Sequence, residues 1–373
     1  MKVVLFCHSL LSDWNHGNAH FLRGIVAELR AQGHEVTSWE PENGWSRKSL
    51  LADAGPGALE QVRRAFPWMD EVVREYGPDG PPLQEALRGA DLVIVHEWSD
   101  PQLVAAIGRR REREQDFALL FHDTHHRAVT APRQMEAFEL SAFDGVLAFG
   151  ETIRRLYLQK RWARRAWTWH EAADTRVFKP CVHSDGAREL VWVGNWGDGE
   201  RVRELRDYLL GPARRLRLRG TIHGVRYPRR ARVQARLCGL PYRGWLPNHR
   251  VPEVFAAHRC TVHVPRRPYA LALPGIPTIR VFEALACGIP LLSAPWKDSD
   301  GLFRAGRDYL LVRDPEEMRA ALRRVLGDEQ LRLSLAASGL ETMRARHTCA
   351  HRVQELLEIA RELGVRTQAR AAA

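Results

Sequence analysis

No run of about eighteen apolar residues occurs in the 373-residue chain, so nothing in it predicts a membrane-spanning helix. C-x-x-C pairs are missing too. The six cysteines (Cys7, Cys181, Cys238, Cys260, Cys287, Cys349) are scattered, which argues against a zinc knuckle or disulfide frame and for reduced thiols in a cytosol. Low-complexity segments and short tandem repeats are absent. The opening MKVVLFCHSL has one basic residue and a short apolar run that soon meets His8, Ser12 and Asp13. It reads as a first strand, not a signal peptide. A cytoplasmic protein is expected.

What is present is size, apolar content and lopsided charge. The length suggests two domains of about 170 to 180 residues, and 45% apolar residues can fill their cores. Residues 1–150 hold 15 Lys and Arg against 22 Asp and Glu, leaving 41 against 23 for the remainder. Within 201–267 the balance is 17 basic to 3 acidic. Such a half suits a polyanion: a diphosphate, an anionic membrane surface or nucleic acid. Nearly all of the positive charge is Arg, which fits bidentate phosphate contacts; a coding bias would give the same abundance.

Along the chain, strand, loop and helix alternate twice. KVVLFCHS, HEVTSWEP, the buried 92–96 run, FALLFHDT and DGVLAFG are strands of a first series, with 45–82 expected to be a helical insertion with loops. RELVWVGNW restarts the scheme near residue 188, followed by LRLRGTIHG, TVHVPRR, IPLLSAP and YLLV. This spacing predicts α/β architecture: two Rossmann-like, doubly wound parallel-sheet domains facing across a cleft. The expected division is 1–172, a connection over 173–187, 188–349, and a tail over 350–373 whose amphipathic helix could cross back to the first domain. Basic, aromatic 154–170 should be a short helix and then a strand, with an anionic membrane surface as one use for it.

Ligands in such folds sit at the loops after the strands. In the second half these loops carry Gly194, Asn195, Trp196 and Gly197, then Gly224, Arg226 and Tyr227, then Arg266 and Arg267. Glycines admit a diphosphate close to the backbone and arginines neutralise it; each arginine alone is equally at home as solvated charge. GIPTIRVFEALACGIPLLSAP (275–295) is the most informative stretch. Its loop, with Gly275 and Ile276, feeds a helix start at Thr278 to Arg280 whose free N–H groups make an anion site. Glu283, inside that helix, can reach the two hydroxyls of a ribose. The helix should stop at Cys287-Gly288 and give way to a buried strand, 291–293. The plainer reading is a buried helix–strand unit in which Glu283 merely faces solvent or pairs with an Arg.

The string F-E-A-L-A-C-G-I-P resembles the donor-binding helix of glycosyltransferases of the GT-B architecture. In that group the Glu matching Glu283 binds the ribose of a nucleotide sugar. The retaining family that includes bacterial mannosyl- and glucosyltransferases carries G-R and a second basic residue six positions later, both holding the diphosphate. Here Gly194 and Arg201 match, and Asn195 replaces the Arg. That family has another Glu, on the donor sugar, where Gly275 stands here. R-V-F-E-A-L-A-C-G is similar to spore-maturation-protein-like (CgeB-like) glycosyltransferases. In the first half the resemblance assigns His122, after LLF, to the reacting centre, and sets His96-Glu97 at the preceding strand end.

His16, Gly17 and Asn18, in the first strand-to-helix loop, would line the acceptor side with Asp123 and His126; Asn18 as a helix N-cap is the alternative. His122, Asp123, His125 and His126 include metal-ligand types, but no matching partner set occurs elsewhere, and Asp298-Ser299-Asp300 reads as a polar loop. No metal and no cofactor are expected.

The function implied is transfer from a nucleotide-diphosphate sugar to an unidentified acceptor (glycan, lipid-linked sugar, protein or small molecule), with retention and without metal. A non-catalytic nucleotide-sugar binder and a nucleotide-sugar epimerase are the alternatives. Nucleic-acid binding is not expected, because no recognition module accompanies the arginines.

Overall fold

A computed structural model describes residues 1–114, 116–182 and 188–368. The chain divides into two compact units: Met1–Glu171 together with the stretch from Cys349 on, and Ala172–Thr348.

The first unit is built on seven parallel strands: β1 (Lys2–Phe6), β2 (Glu35–Pro41), β3 (Val73–Tyr76), β4 (Leu92–His96), β5 (Ala118–Asp123), β6 (Gly145–Ala148) and β7 (Ala166–Thr168). Their order is β3-β2-β1-β4-β5-β6-β7. β4 and β5 are wholly buried, as parallel strands covered on both faces must be. The β4–β5 register pairs His96 with His122 at the carboxyl edge, so both imidazoles leave the same side of the sheet. The order in which strands are added across the sheet reverses between β1 and β4, and the loops after β1, β4 and β5 gather at this switch point.

Residues 45–82 hold a strand as well as helices. β3 pairs with β2 as the sheet's edge. Its sequence, VREY, is half-buried and charged, so nothing in its pattern marks a strand. The helix Cys349–Glu362 belongs to this unit, where Trp169 Nε1 donates to the Arg352 carbonyl at 2.8 Å.

The second unit carries five parallel strands: β8 (Arg188–Val193), β9 (Gly220–His223), β10 (His258–His263), β11 (Leu291–Ser293) and β12 (Leu310–Leu311), ordered β12-β11-β10-β8-β9. Its core includes Trp192, Leu209, Ile222, Val262, Leu292 and Leu322. The switch point lies between β8 and β10, which places the loops starting at Gly194 and Val264 side by side. Among the described residues no helix is long and apolar enough to cross a membrane.

Candidate functional site

In the second unit the helix Ile279–Ala286 starts after Thr278, whose side chain makes no capping bond. Val281 N–H closes on the Thr278 carbonyl at 3.0 Å. The N–H groups of Thr278, Ile279 and Arg280 meet no acceptor among the described residues. Three amides at the positive end of a helix form an anion-binding end. Ile276 is buried just before it. One turn in, Glu283 is fully buried and ion-paired with Arg280, whose side chain remains 16% exposed. The carboxylate lies behind a guanidinium instead of facing solvent.

Gly275 has φ +88, and a Cβ there would run into the carboxylate of Asp300 and the Ser299 hydroxyl. A Glu cannot stand at this position without moving that loop. The β11 loop supplies a carboxylate beside Gly275 instead, and Gly275 N–H donates to the Lys297 carbonyl of the same loop at 2.7 Å.

The basic residues around the β8 and β10 loops are engaged within the unit. Arg201 is buried, donates from Nη1 to the Val264 carbonyl (3.0 Å) and from Nη2 to the Asn195 carbonyl (2.9 Å) and Oδ1 (2.5 Å), and lies over the Trp192 ring. Burial lowers its pKa to about 9. It ties together the two loops of the switch point. Arg226 pairs with Asp198 at 3.0 Å and Arg266 with Glu200 at 2.9 Å, while Arg267 bonds the Gly199 carbonyl. The Gly194 carbonyl accepts from Tyr227 Oη (3.0 Å) and Trp192 Nε1 (3.2 Å). Gly224 is packed so tightly on that carbonyl that a Cβ would collide with it. Trp196 is buried beside Tyr227, and Gly197 (φ +87) wraps the Arg201 side chain.

In the first unit a row of rings crosses the switch point. His8 lies 5.4 Å from His16, His16 6.2 Å from His96, His96 5.2 Å from His122, and His122 4.9 Å from Trp169, all edge to face. Burial lowers the pKa of all four histidines, His8 to about 4 and His122 to about 3, so they are neutral. His122 is fully buried against Phe21 and Trp169, and neither ring nitrogen has a partner among the described residues.

Asn18 does not cap its helix; the N-cap is Gly17, and the Asn18 side chain meets His96 Nε2 at 3.2 Å and donates to Glu171 Oε1 at 3.3 Å. Glu97 accepts from Thr124 N–H (2.9 Å) and Arg127 Nη2 (2.8 Å), and Asp123 from His125 N–H (3.0 Å) and Tyr157 Oη (2.8 Å). Both carboxylates are buried, with pKa raised chiefly by that burial, and they shape the loop after β5. His126 closes the same turn through Thr130 Oγ1 at 2.8 Å. Among the described residues no group of three His, Cys, Asp or Glu is placed to hold a metal.

Several groups at these loops have no clear mark in the sequence. Glu40 clamps the loop after β1 through Ser9 Oγ (3.0 Å) and Leu10 N–H (2.5 Å). Arg127 stacks on Trp98 at 4.1 Å, and Trp169 walls His122. A lone acidic residue at the end of β2 was the only available signal for Glu40; nothing local marks the others.

Residues 203–358 match the family model described as glycosyl transferase-like. No curated protein matches the sequence. Solved structures do match along nearly the whole chain. Sucrose-phosphate synthase from Thermosynechococcus elongatus is 15% identical over 98% of this chain and 99% of its own, with a TM-score of 0.65. Anabaena HepE in complex with UDP is 15% identical over 97% and 100%, also at 0.65. An E. coli trehalose-6-phosphate structure bound with UDP-2-fluoro glucose is 14% identical over 97% and 99%, at 0.63. The fold is that of the GT-B glycosyltransferases: α/β, with two parallel sheets.

Proposed function

We propose that the protein moves a sugar from a nucleotide-diphosphate donor to an acceptor hydroxyl. The observation that carries this reading is the start of the helix Ile279–Ala286: three unengaged amides, with the Arg280–Glu283 pair one turn in, inside the segment matching the glycosyl transferase-like family. The diphosphate sits at the amides. It draws Arg280 away from Glu283, whose carboxylate then accepts the ribose hydroxyls. As the bond from the anomeric carbon to the diphosphate oxygen breaks, charge builds on that oxygen. Helix amides and Arg280 stabilise it without a metal. The acceptor oxygen forms the new bond, and its proton passes to the departing diphosphate. His122 hydrogen-bonds the donor sugar near the reacting carbon, as a neutral imidazole. Retention of configuration and kinship with the CgeB-like branch extend the same reading, supported by the R-V-F-E-A-L-A-C-G string.

Similar structures hold UDP or a fluorinated UDP-glucose, so uridine donors come first. Thermal melting with UDP-, GDP-, TDP- and ADP-sugars tests the site. One donor should raise Tm by about 5 °C or more at a hundredfold excess over Kd. If none does, the donor site is wrong. The burial of His122 favours one other reading, a nucleotide-sugar binder without turnover; a donor that binds and never releases its diphosphate would establish it.

A further inference from the structure

Between Asp207 and Glu253 the chain has eleven arginines and no Asp or Glu. This stretch forms the helix Gly211–Leu216, edge strand β9 and the helix Arg229–Leu237. Arg214, Arg215, Arg217, Arg219, Arg229, Arg230 and Arg236 are all exposed. None forms an ion pair among the described residues. Elsewhere several exposed arginines pair with nearby acids: Arg64 with Glu60 (3.1 Å), Arg155 with Glu151 (2.7 Å) and Arg313 with Glu317 (3.1 Å). Unpaired exposed arginines occur elsewhere among the described residues too, Arg161, Arg164 and Arg323 among them, but only here do seven gather in a stretch that holds no acidic residue. Uncompensated like charges repel and weaken the fold unless an anion meets them.

The two helices share one surface. Leu218, Cys238 and Leu240 pack in one core, and Gly239 is pressed against the Leu218 carbonyl. Arg214 is near enough to Cys238 to lower its thiol pKa against the effect of burial. On the helix Arg229–Leu237, Ala231 and Ala235 face inward. Outward, at spacings of three and four, stand Arg229, Arg230, Val233, Arg236 and Leu237. Val233 is 60% and Leu237 76% exposed. Two bare aliphatic tips within a field of guanidinium groups match a surface offering both phosphate and hydrocarbon. The backbone of a nucleic-acid duplex offers chiefly the first, its apolar base surface being stacked inside.

We propose that this face docks the protein on a membrane surface carrying anionic lipid. The arginines take the headgroup phosphates, and Val233 and Leu237 enter the acyl boundary. The Arg- and Trp-rich stretch 154–170 offers fewer free charges: Arg154 and Arg155 are bound to Glu151 and Trp167 Nε1 to Glu362, which leaves Lys160, Arg161, Arg164 and Arg165. Docking through the second unit is independent of what its helix Ile279–Ala286 binds.

Flotation of the full chain with phosphatidylcholine vesicles, with and without about one-third phosphatidylglycerol, tests the proposal. Binding should need the anionic lipid and fall as salt rises. Arg229→Ser/Arg230→Ser/Arg236→Ser should weaken it about a hundredfold, at about fivefold per arginine. Val233→Ser/Leu237→Ser should weaken it about tenfold, with unchanged melting temperature. Equal binding to neutral vesicles, or wild-type binding by either variant, overturns the proposal. So does tighter retention on duplex DNA that ignores the Val233 and Leu237 changes, which would make the face a nucleic-acid surface.

Discussion

A fully buried imidazole with both nitrogens unengaged, as in His122, costs about 1–3 kcal/mol relative to an apolar ring of similar shape. Selection for packing alone would favour Phe there, amid Phe21 and Trp169. His122→Phe should therefore leave stability unchanged or raise it by about 1 kcal/mol. Turnover should fall about a hundredfold or more, and donor affinity by much less. A melt beside steady-state kinetics separates the two effects; full turnover in the variant would make His122 a packing residue. Burial pushes its pKa down to about 3, so the ring is neutral near pH 7 and carries no imidazolium proton to give. In the proposed reaction its part is to hold a hydroxyl of the donor sugar.

At the level of elements, local pattern reaches as far as the backbone. The helix Ile279–Ala286, its stop at Cys287-Gly288 and β11 at 291–293 are legible because an apolar run meets a glycine that takes φ +67 and then a proline. The two alternating series, and so the two parallel sheets, follow from the same punctuation. Side-chain partners are less legible, since strand order and loop crossings decide them. Arg201 has the spacing of a phosphate ligand, yet strand order sets β10 next to β8, and the Val264 carbonyl takes one of its donors. Asn18 has the place of a cap, yet the register of β4 brings His96 to it. At Gly275 the sequence shows only a missing Glu. A positive φ and the Asp300 carboxylate over its Cα explain why no side chain stands there. β3 stays hidden because an exposed edge strand needs no apolar alternation.

For the whole molecule, buried titratable groups set the pH response. His8, His16, His34, His96, His122, His223, His258 and His263 all have pKa values lowered mainly by burial. Below about pH 6.5 the unfolded chain takes up protons that the folded chain refuses, so stability falls as pH drops. Glu40 (raised to about 7), Glu97 and Asp123 act the opposite way, because their charged forms are penalised in the fold and stability is lost as pH rises. Eight groups outweigh three between about pH 4.5 and 6.5, and just above it the histidines no longer contribute while the acids still do. Calorimetric melts should show stability climbing to a maximum near pH 7, at about 1.4 kcal/mol per pH unit for each net proton. A flat profile from pH 4.5 to 6.5 would contradict the burial of the histidine row.

The central claim is that the start of the helix Ile279–Ala286, with Glu283, grips a nucleoside diphosphate. Calorimetric titration of UDP into the wild type and Glu283→Gln addresses it directly. The account predicts saturable binding by the wild type and affinity at least about tenfold lower in a variant that still folds, since charge-assisted bonds to the ribose are lost. Equal affinities in the two proteins would contradict it.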